Sequence, residues 1–307
     1  MYINQLNNYL KNIYGEKIYK LSLNAGLTCP NRDGRIDTRG CIFCSKGGSG
    51  DFAASPTLTI TEQIEQAKEL VAKKVIRGKY IAYFQAYTNT YGPYDKLKSM
   101  YYEAINHPDI VAISIATRPD CIDEKISQLL LELNTIKPVY VELGLQTSNE
   151  ASARFIRRGY DNKCFANAIS LLNGLNIVVH VIIGLPNEEK SDIINTIHYV
   201  NSFPIHGIKL QLLHVLKDTD LYEYYLSNPF HILSLEEYCD ILLECIRHLR
   251  SDIVIHRLTG DGPKKLLVEP MYSANKKMVL NYINKRLKDE DVTQGSHFNQ
   301  NGGNYES

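Results

Sequence analysis

The chain has 307 residues, with 34 Lys and Arg against 34 Asp and Glu and a formal net charge of zero. Bulk charge therefore gives no general affinity for polyanions, so any nucleic-acid contact must be local. No apolar run approaches the roughly 20 residues that span a bilayer, the first residues lack an apolar signal core, and the seven cysteines read as reduced thiols of a cytoplasmic protein.

The length suits one large α/β domain or two small ones. Ile3, Leu6, Leu10 and Ile13 fall at helical spacing and predict a helix over 3–14. A strand over 17–24 follows, and then a loop rich in Gly, Asn and Asp that carries Cys29, Cys41 and Cys44. The pattern is one thiol, eleven residues, then Cys-x-x-Cys; the next cysteine is Cys121. Zinc wants four protein ligands, or three and a water. A cubane iron–sulfur cluster usually takes four thiolates, and three leave one iron open to a substrate or cofactor. A redox pair is the remaining alternative. Phe43 offers an apolar wall for a cluster. The loop closes with Gly47-Gly48-Ser49-Gly50-Asp51, where glycines permit close backbone approach to a cluster or cofactor, or simply form a flexible loop.

Helix and strand then alternate. Helices are predicted over 61–77, 94–106, 123–133, 149–157, 162–173, 192–202, 219–226 and 235–249. Strands are predicted over 80–85, 110–116, 139–145, 177–183, 207–213 and 253–258. Short, continuous apolar strands separated by helices imply parallel strands covered on both faces. Six or seven such units suit a barrel or partial barrel. The segment from Lys288 to Ser307 is almost devoid of large apolar residues and is expected to be disordered.

Several strands carry polar groups in a single alternating phase: Lys20, Ser22 and Asn24; Tyr83 and Gln85; Ser114; Glu142 and Gln146; His180; Lys209 and Gln211. A buried Glu142 or Lys209 needs a partner or a wet cavity. The pattern implies a polar interior with a substrate at its mouth, or simply a Glu142–Lys209 pair. Cys121, Cys164, Cys239 and Cys245 lack a second Cys-x-x-Cys spacing and read as buried structural thiols.

The run Leu23-Asn24-Ala25-Gly26-Leu27-Thr28-Cys29-Pro30-Asn31-Arg32-Asp33-Gly34, with Gly40-Cys41-Ile42-Phe43-Cys44, resembles radical SAM proteins of the YhcC/YtqA type, relatives of the Elongator catalytic subunit. The resemblance continues through Thr117-Arg118-Pro119-Asp120, Glu142-Leu143-Gly144-Leu145-Gln146-Thr147, Arg158-Gly159-Tyr160, His180-Val181-Ile182-Ile183-Gly184-Leu185-Pro186 and Thr259-Gly260-Asp261-Gly262-Pro263. Singly these motifs are weak; in this order they are specific. The resemblance implies an α/β partial (β/α)6 TIM-type barrel with N- and C-terminal helical extensions: a helix over 1–16, the barrel core over 17–215, helices and a strand over 216–287, and a disordered tail over 288–307. It implies a 4Fe–4S cluster on Cys29, Cys41 and Cys44, with S-adenosylmethionine on the fourth iron and reductive cleavage to a 5′-deoxyadenosyl radical. An electron donor such as flavodoxin or ferredoxin is implied as well.

By the same resemblance Gln146 and Arg158 reach the cofactor, an Arg fork suiting its carboxylate, and Ile182 packs the adenine or is ordinary core. Relatives carry Gly-Gly-Glu after the second strand. Here Phe84-Gln85-Ala86-Tyr87-Thr88-Asn89-Thr90 stands in that place, with Gln85 and Thr88 as candidates. Where relatives carry a ribose-binding Glu at the end of the third strand this chain has Ala116, and Glu142 is the candidate substitute. His180 and Tyr83 are candidates on the substrate side.

Kinship with Elongator points to tRNA, at carbon 5 of a wobble uridine. Lys276, Lys277, Lys285, Arg286 and Lys288 with Tyr272 and Tyr282, and Lys73, Lys74, Arg77 and Lys79, are either phosphate contacts or solvated helix faces. The alternatives are a radical SAM enzyme on a small metabolite and a zinc-stabilised RNA-binding module.

Overall fold

A computed structural model describes residues 2–48, 50, 53–71, 78–260 and 262–298. Seven strands pair in the order β1-β2-β3-β4-β5-β6-β8: β1 Tyr19–Leu23, β2 Tyr80–Phe84, β3 Ile110–Thr117, β4 Val139–Gln146, β5 Asn176–Ile183, β6 Gly207–Leu212 and β8 Val254–Arg257. The pairs β1–β2, β2–β3, β3–β4 and β6–β8 are parallel. By contact the chain divides into two compact units. One comprises Asn7–Gly144 and Ile156–Val178; the other comprises Met1–Leu6, Leu145–Phe155 and Val179–Ser307.

The first unit holds α1 Leu6–Tyr14 (from its second residue), α2 Ile60–Val71, α3 Tyr94–Asn106, α4 Glu124–Asn134 and α6 Asn162–Leu171. Residues 72–77, expected to extend α2, and with them Lys73, Lys74 and Arg77, lie outside the described residues. Its strands show why the two faces of one sheet read so differently. Leu21, Leu23, Ala82, Phe84, Ile113, Ile115, Val141 and Leu143 are fully buried on one phase. Each buried Leu, Ile or Phe of this kind contributes roughly 1.5–3 kcal/mol through removal from water. Phe84 meets the fully buried Tyr101 of α3 edge-on, with centroids 5.1 Å apart. Asp123 and Asp161 cap α4 and α6 by accepting from the amides of Ile126 and Cys164.

The second unit holds α5 Glu150–Phe155, α7 Lys190–Asn201, β7 Val215–Leu216, α8 Asp220–Ser227, α9 Leu235–His248, β9 Leu267–Glu269 and α10 Lys276–Asp289. β7 and β9 form an antiparallel pair with Val215 opposite Glu269 and Leu216 opposite Leu267. Strands of two and three residues carry too few positions to show a period, so the sequence gives no sign of them. Ser234 and Glu237 form a reciprocal capping box at the start of α9.

Disorder from Lys288 onward is corrected for residues 288–298. Lys288 ends within α10, Thr293 bridges to Tyr2, and Gln294 is 2% exposed. The Gln294 Nε2 donates to the carbonyls of Arg250 (2.7 Å) and Ile253 (2.8 Å), and its Oε1 accepts from the Asn4 amide at 3.0 Å. Polar composition misleads here because these polar groups satisfy buried backbone instead of water. Residues 299–307 lie outside the described residues.

Candidate active site

The loop after β1 carries Cys29, Cys41 and Cys44, all half-buried. The chain doubles back through short-range bonds: the amides of Arg32 and Asp33 donate to the Cys29 carbonyl, and that of Cys44 donates to the Cys41 carbonyl at 3.0 Å. Arg32 braces the turn from inside, with Nη2 donating to the carbonyls of Cys44 (3.1 Å) and Ser45 (2.6 Å). Gly40 has φ +82°, and a Cβ there would lie 2.9 Å from Arg32 Nε. Both the left-handed backbone and the guanidinium demand glycine at this step. Asn31, 1% exposed, donates through Nδ2 to the Arg157 carbonyl at 2.7 Å and to Cys41 Sγ at 3.4 Å. The glycine run after Cys44 approaches protein: a Cβ on Gly48 would collide with the Tyr87 ring. Ser49 and Asp51 lie outside the described residues.

The surroundings favour thiolate at Cys41. A hydrogen bond from the Cys44 thiol, opposed by burial and aided by the Arg118 guanidinium, the Asn31 amide and Arg157, lowers Cys41 to about 6. The Cys44 thiol, which holds the shared proton, moves well above its ordinary value. Cys29 is near enough to Cys44 for their charges to interact. Zinc draws thiolates to about 3.8 Å of one another, given Zn–S bonds near 2.3 Å. The three sulfurs are not among the groups whose ligand atoms all lie within 4.8 Å. Cys41 and Cys44 share a hydrogen bond, the third thiol is not drawn in with them, and arginines offset thiolate charge; three thiols so set fit an iron–sulfur cluster.

Arg118 forks onto Asp120, with Nε to Oδ1 at 2.9 Å and Nη2 to Oδ2 at 2.8 Å, and lies 4.9 Å over the Tyr160 ring. Asn31, Arg32 and Arg118 serve the loop; they fall in the motif runs, but the sequence assigns them no role. Their roles depend on turn geometry that residue type does not reveal. Arg158, a candidate for the cofactor carboxylate, is 1% exposed and donates to the Tyr160 carbonyl (2.8 Å) and Asn162 Oδ1 (3.2 Å).

The polar phase of β1–β4 assembles on one face. Ser22 is in register with Tyr83, Tyr83 with Ser114, and Ala116 with Glu142. Glu142 therefore stands beside Ala116, on the strand position from which it was expected to substitute. Its Oε1 accepts from Lys20 Nζ at 2.7 Å and Ser114 Oγ at 2.7 Å, and its side chain is fully buried. The Lys20 ammonium also lies 4.9 Å over the Tyr83 ring. A charged, partnered triad thus replaces apolar filling on this face. Glu142 has Lys20 and Ser114 as partners, a pairing with Lys20 that the sequence did not suggest. Gln85 Oε1 accepts from Ser22 at 2.8 Å. Thr88 is 1% exposed and its amide is taken by the Thr28 carbonyl at 3.2 Å.

Gln146, His180 and Ile182 belong to the other unit. Gln146 ends β4 at φ +68°, and its buried Oε1 has no hydrogen-bond partner. An orphaned acceptor costs about 1–3 kcal/mol unless a ligand donates to it, so Gln146 fits a cofactor-binding role. His180 is half-buried on β5, and Ile182 is 7% exposed on the same phase of that strand. Glu188, which the sequence did not single out, accepts from Thr147 Oγ1 at 2.5 Å, and burial pushes its carboxyl up to about 7. The remaining thiols divide. Cys239 and Cys245 are buried as expected, whereas Cys121 and Cys164 are half-buried, a correction to the expectation for those two.

A parallel α/β sheet whose first strand delivers three cysteines on a braced loop, with the Cys41 thiol lowered by its surroundings, defines an iron–sulfur enzyme class. Residues 34–200 match the Radical SAM superfamily and residues 205–289 match the Radical_SAM C-terminal domain, and the chain belongs to this superfamily. It is 39% identical to YtqA of Bacillus subtilis over 95% of this chain and 92% of that protein. It is 33% identical to YhcC of Escherichia coli K12 over 96% and 94%. It shares its fold with Methanocaldococcus infernus Elp3 lacking residues 1–46, at TM-score 0.66 and 16% identity, over 90% of this chain and 64% of that one. The α/β partial-barrel class expected from the sequence is thus the fold observed. The family uses a 4Fe–4S cluster and S-adenosylmethionine, which sets aside the zinc-module alternative. Among the described residues no helix is long and apolar enough to cross a membrane.

Proposed function

We propose that this radical SAM enzyme acts on tRNA, at the carbon-5 side chain of a wobble uridine. The observation that carries the reading is a cleft of about 770 Å³ beside the cysteine loop, lined in part by Thr28, Arg35, Tyr91, Tyr94, Lys96 and Lys125. Arg35 lies 5.5 Å over the Tyr91 ring, and Lys125 lies 4.0 Å over that of Tyr94. Tyrosine faces on which bases stack, alternating with cations that meet phosphate, are the means by which proteins hold unpaired nucleotides. The fold shared with Elp3 supports the same reading.

When bound, the cluster and S-adenosylmethionine supply a 5′-deoxyadenosyl radical that abstracts a substrate hydrogen. Cys29, Cys41 and Cys44 would hold the cluster, with Arg32 and Asn31 fixing the loop. Gln146 and Arg158 are the candidates to orient the cofactor, Ile182 to pack it, and Tyr83, His180 and Glu142 to face the substrate. Flavodoxin or ferredoxin is the proposed reductant class. The basic surface expected on α10 supports the reading less. Arg286 is spent on Asp240 (2.7 Å) and Glu290 (2.8 Å), and the Tyr272 hydroxyl on the Leu233 carbonyl.

The test is 5′-deoxyadenosine release by the cluster-loaded enzyme with and without hypomodified tRNA. Stimulation by tRNA, weakened in a combined Arg35→Ala, Lys125→Ala variant and by added salt, is the expected result. Stimulation by a small-molecule extract and by no tRNA fraction would replace this reading with the metabolite enzyme.

A further inference from the structure

Glu244 and His248 lie four residues apart on α9 and so share one helix face. His297 reaches that face from the C-terminal segment, positioned by its amide, which donates to the Arg247 carbonyl at 2.8 Å. Ligand atoms of these three residues all lie within 4.8 Å of one another. Glu244 Oε2 is 4.0 Å from His248 Nε2 and 3.9 Å from His297 Nδ1. Donors on a tetrahedral zinc stand about 3.4 Å apart, given bonds of 2.0–2.2 Å. Both carboxylate–imidazole gaps therefore close with a movement of about half an ångström, which a half-exposed side chain makes easily.

The arrangement suits coordination better than hydrogen bonding. At 3.9–4.0 Å neither imidazole makes a good hydrogen bond to the carboxylate. The other carboxylate oxygen, Oε1, accepts from Arg247 Nη1 at 2.6 Å. That bond fixes the carboxylate with Oε2 turned to the histidines, as outer partners do for metal ligands. A third imidazole, His198 of α7, stands with its ring centroid 5.0 Å from that of His248. His248 Nδ1 is buried without a partner, so hydrogen bonding alone does not explain why the ring is held here. Two imidazoles and one carboxylate oxygen are a donor set that zinc and its neighbours in the first transition row accept.

We propose that Glu244, His248 and His297 bind one divalent transition-metal ion, zinc being the ion to test, with water or His198 in the fourth position. The ion pins the segment around Gln294 to α9 and is separate from the iron–sulfur chemistry.

The experiment uses cluster-loaded protein, stripped of loosely held metal with a mild chelator and then titrated with zinc. Bound zinc and iron are measured together with the melting temperature. The expected result is one zinc per chain beyond the cluster iron, with the folding equilibrium shifted about 100-fold at a zinc concentration 100 times the Kd. His297→Ala and the isosteric Glu244→Gln should each weaken zinc binding at least roughly 10–100-fold while iron content and the zinc-free melting temperature hold. Zinc binding at wild-type strength in both variants, or no zinc taken up by the wild type, would overturn the site.

Discussion

The cysteine loop and the α9–α10 region use the same residue types to opposite ends. Around Cys41, hydrogen bonding and nearby arginines outweigh burial and bring the thiol to about 6. On α9, burial dominates and pushes Cys239 up to about 11 and Cys245 to about 12. The arginines differ in the same way. Arg32 spends its fork on loop carbonyls beside the thiols, whereas Arg247 and Arg286 are consumed by Glu244, Asp240 and Glu290. A cysteine becomes a metal ligand or inert core according to which of these two surroundings it meets.

The largest effect expected is all-or-none. Replacing Cys29, Cys41 or Cys44 singly by Ala should abolish bound iron and 5′-deoxyadenosine release, while Cys245→Ala keeps both. Iron analysis after anaerobic reconstitution decides it. A variant lacking Cys41 that retained full iron would break the contrast between the two regions.

Next comes reactivity. In cluster-free protein at pH 7, Cys41 should alkylate at least about 100-fold faster than Cys239 or Cys245, because thiolate fraction and access both favour it. Its folded value is depressed, so thiolate is present above about pH 6 and is lost as pH falls through that value. Labelling with iodoacetamide followed by peptide mapping should show the rate dropping between pH 7 and pH 5. Equal labelling of all three thiols would remove the electrostatic account.

How far the sequence carried this distinction depends on what each residue's role rests on. The polar phase through Ser22, Tyr83, Ser114 and Glu142 was legible because side chains alternate strictly along a strand. The Lys20–Glu142 pair was not, since the partners are 122 residues apart and only strand order brings them together. Asn31 and Arg32 lie within the loop motif, yet nothing in their spacing tells which carbonyls they will meet. The segment around Gln294 was misread because composition counts polar groups and not the backbone groups that satisfy them.

A third test probes the charged face of β1–β4. Glu142→Ala leaves the Lys20 ammonium without its carboxylate, with only the Ser114 hydroxyl at 3.3 Å, in a mostly buried place. Breaking a buried pair from one side costs about 3–5 kcal/mol, and the 20% exposure of the Lys20 side chain reduces that to about 2–3 kcal/mol. Urea unfolding measures the loss. Lys20→Met added to Glu142→Ala should recover part of it, because the Lys20 charge is then removed with its carboxylate. A double variant less stable than the sum of the single losses would show that the triad is not what holds this face.

The smallest effect should fall on α10. Arg286 bonds Asp240 and Glu290 through an exposed network. Exposed ion pairs contribute about 0–1 kcal/mol, so Arg286→Ala should change stability by no more than that. The same variant should leave tRNA affinity unchanged, because a guanidinium held by two carboxylates presents little net charge to phosphate. Arg35→Ala removes a cation from the cleft beside the cysteines and should weaken tRNA binding and lower the slope of its salt dependence by about one. Filter binding at several salt concentrations separates the two arginines. If the loss fell on Arg286 and spared Arg35, the substrate surface would lie on α10, and the cleft at Tyr91 and Tyr94 would lose its claim to the nucleotide.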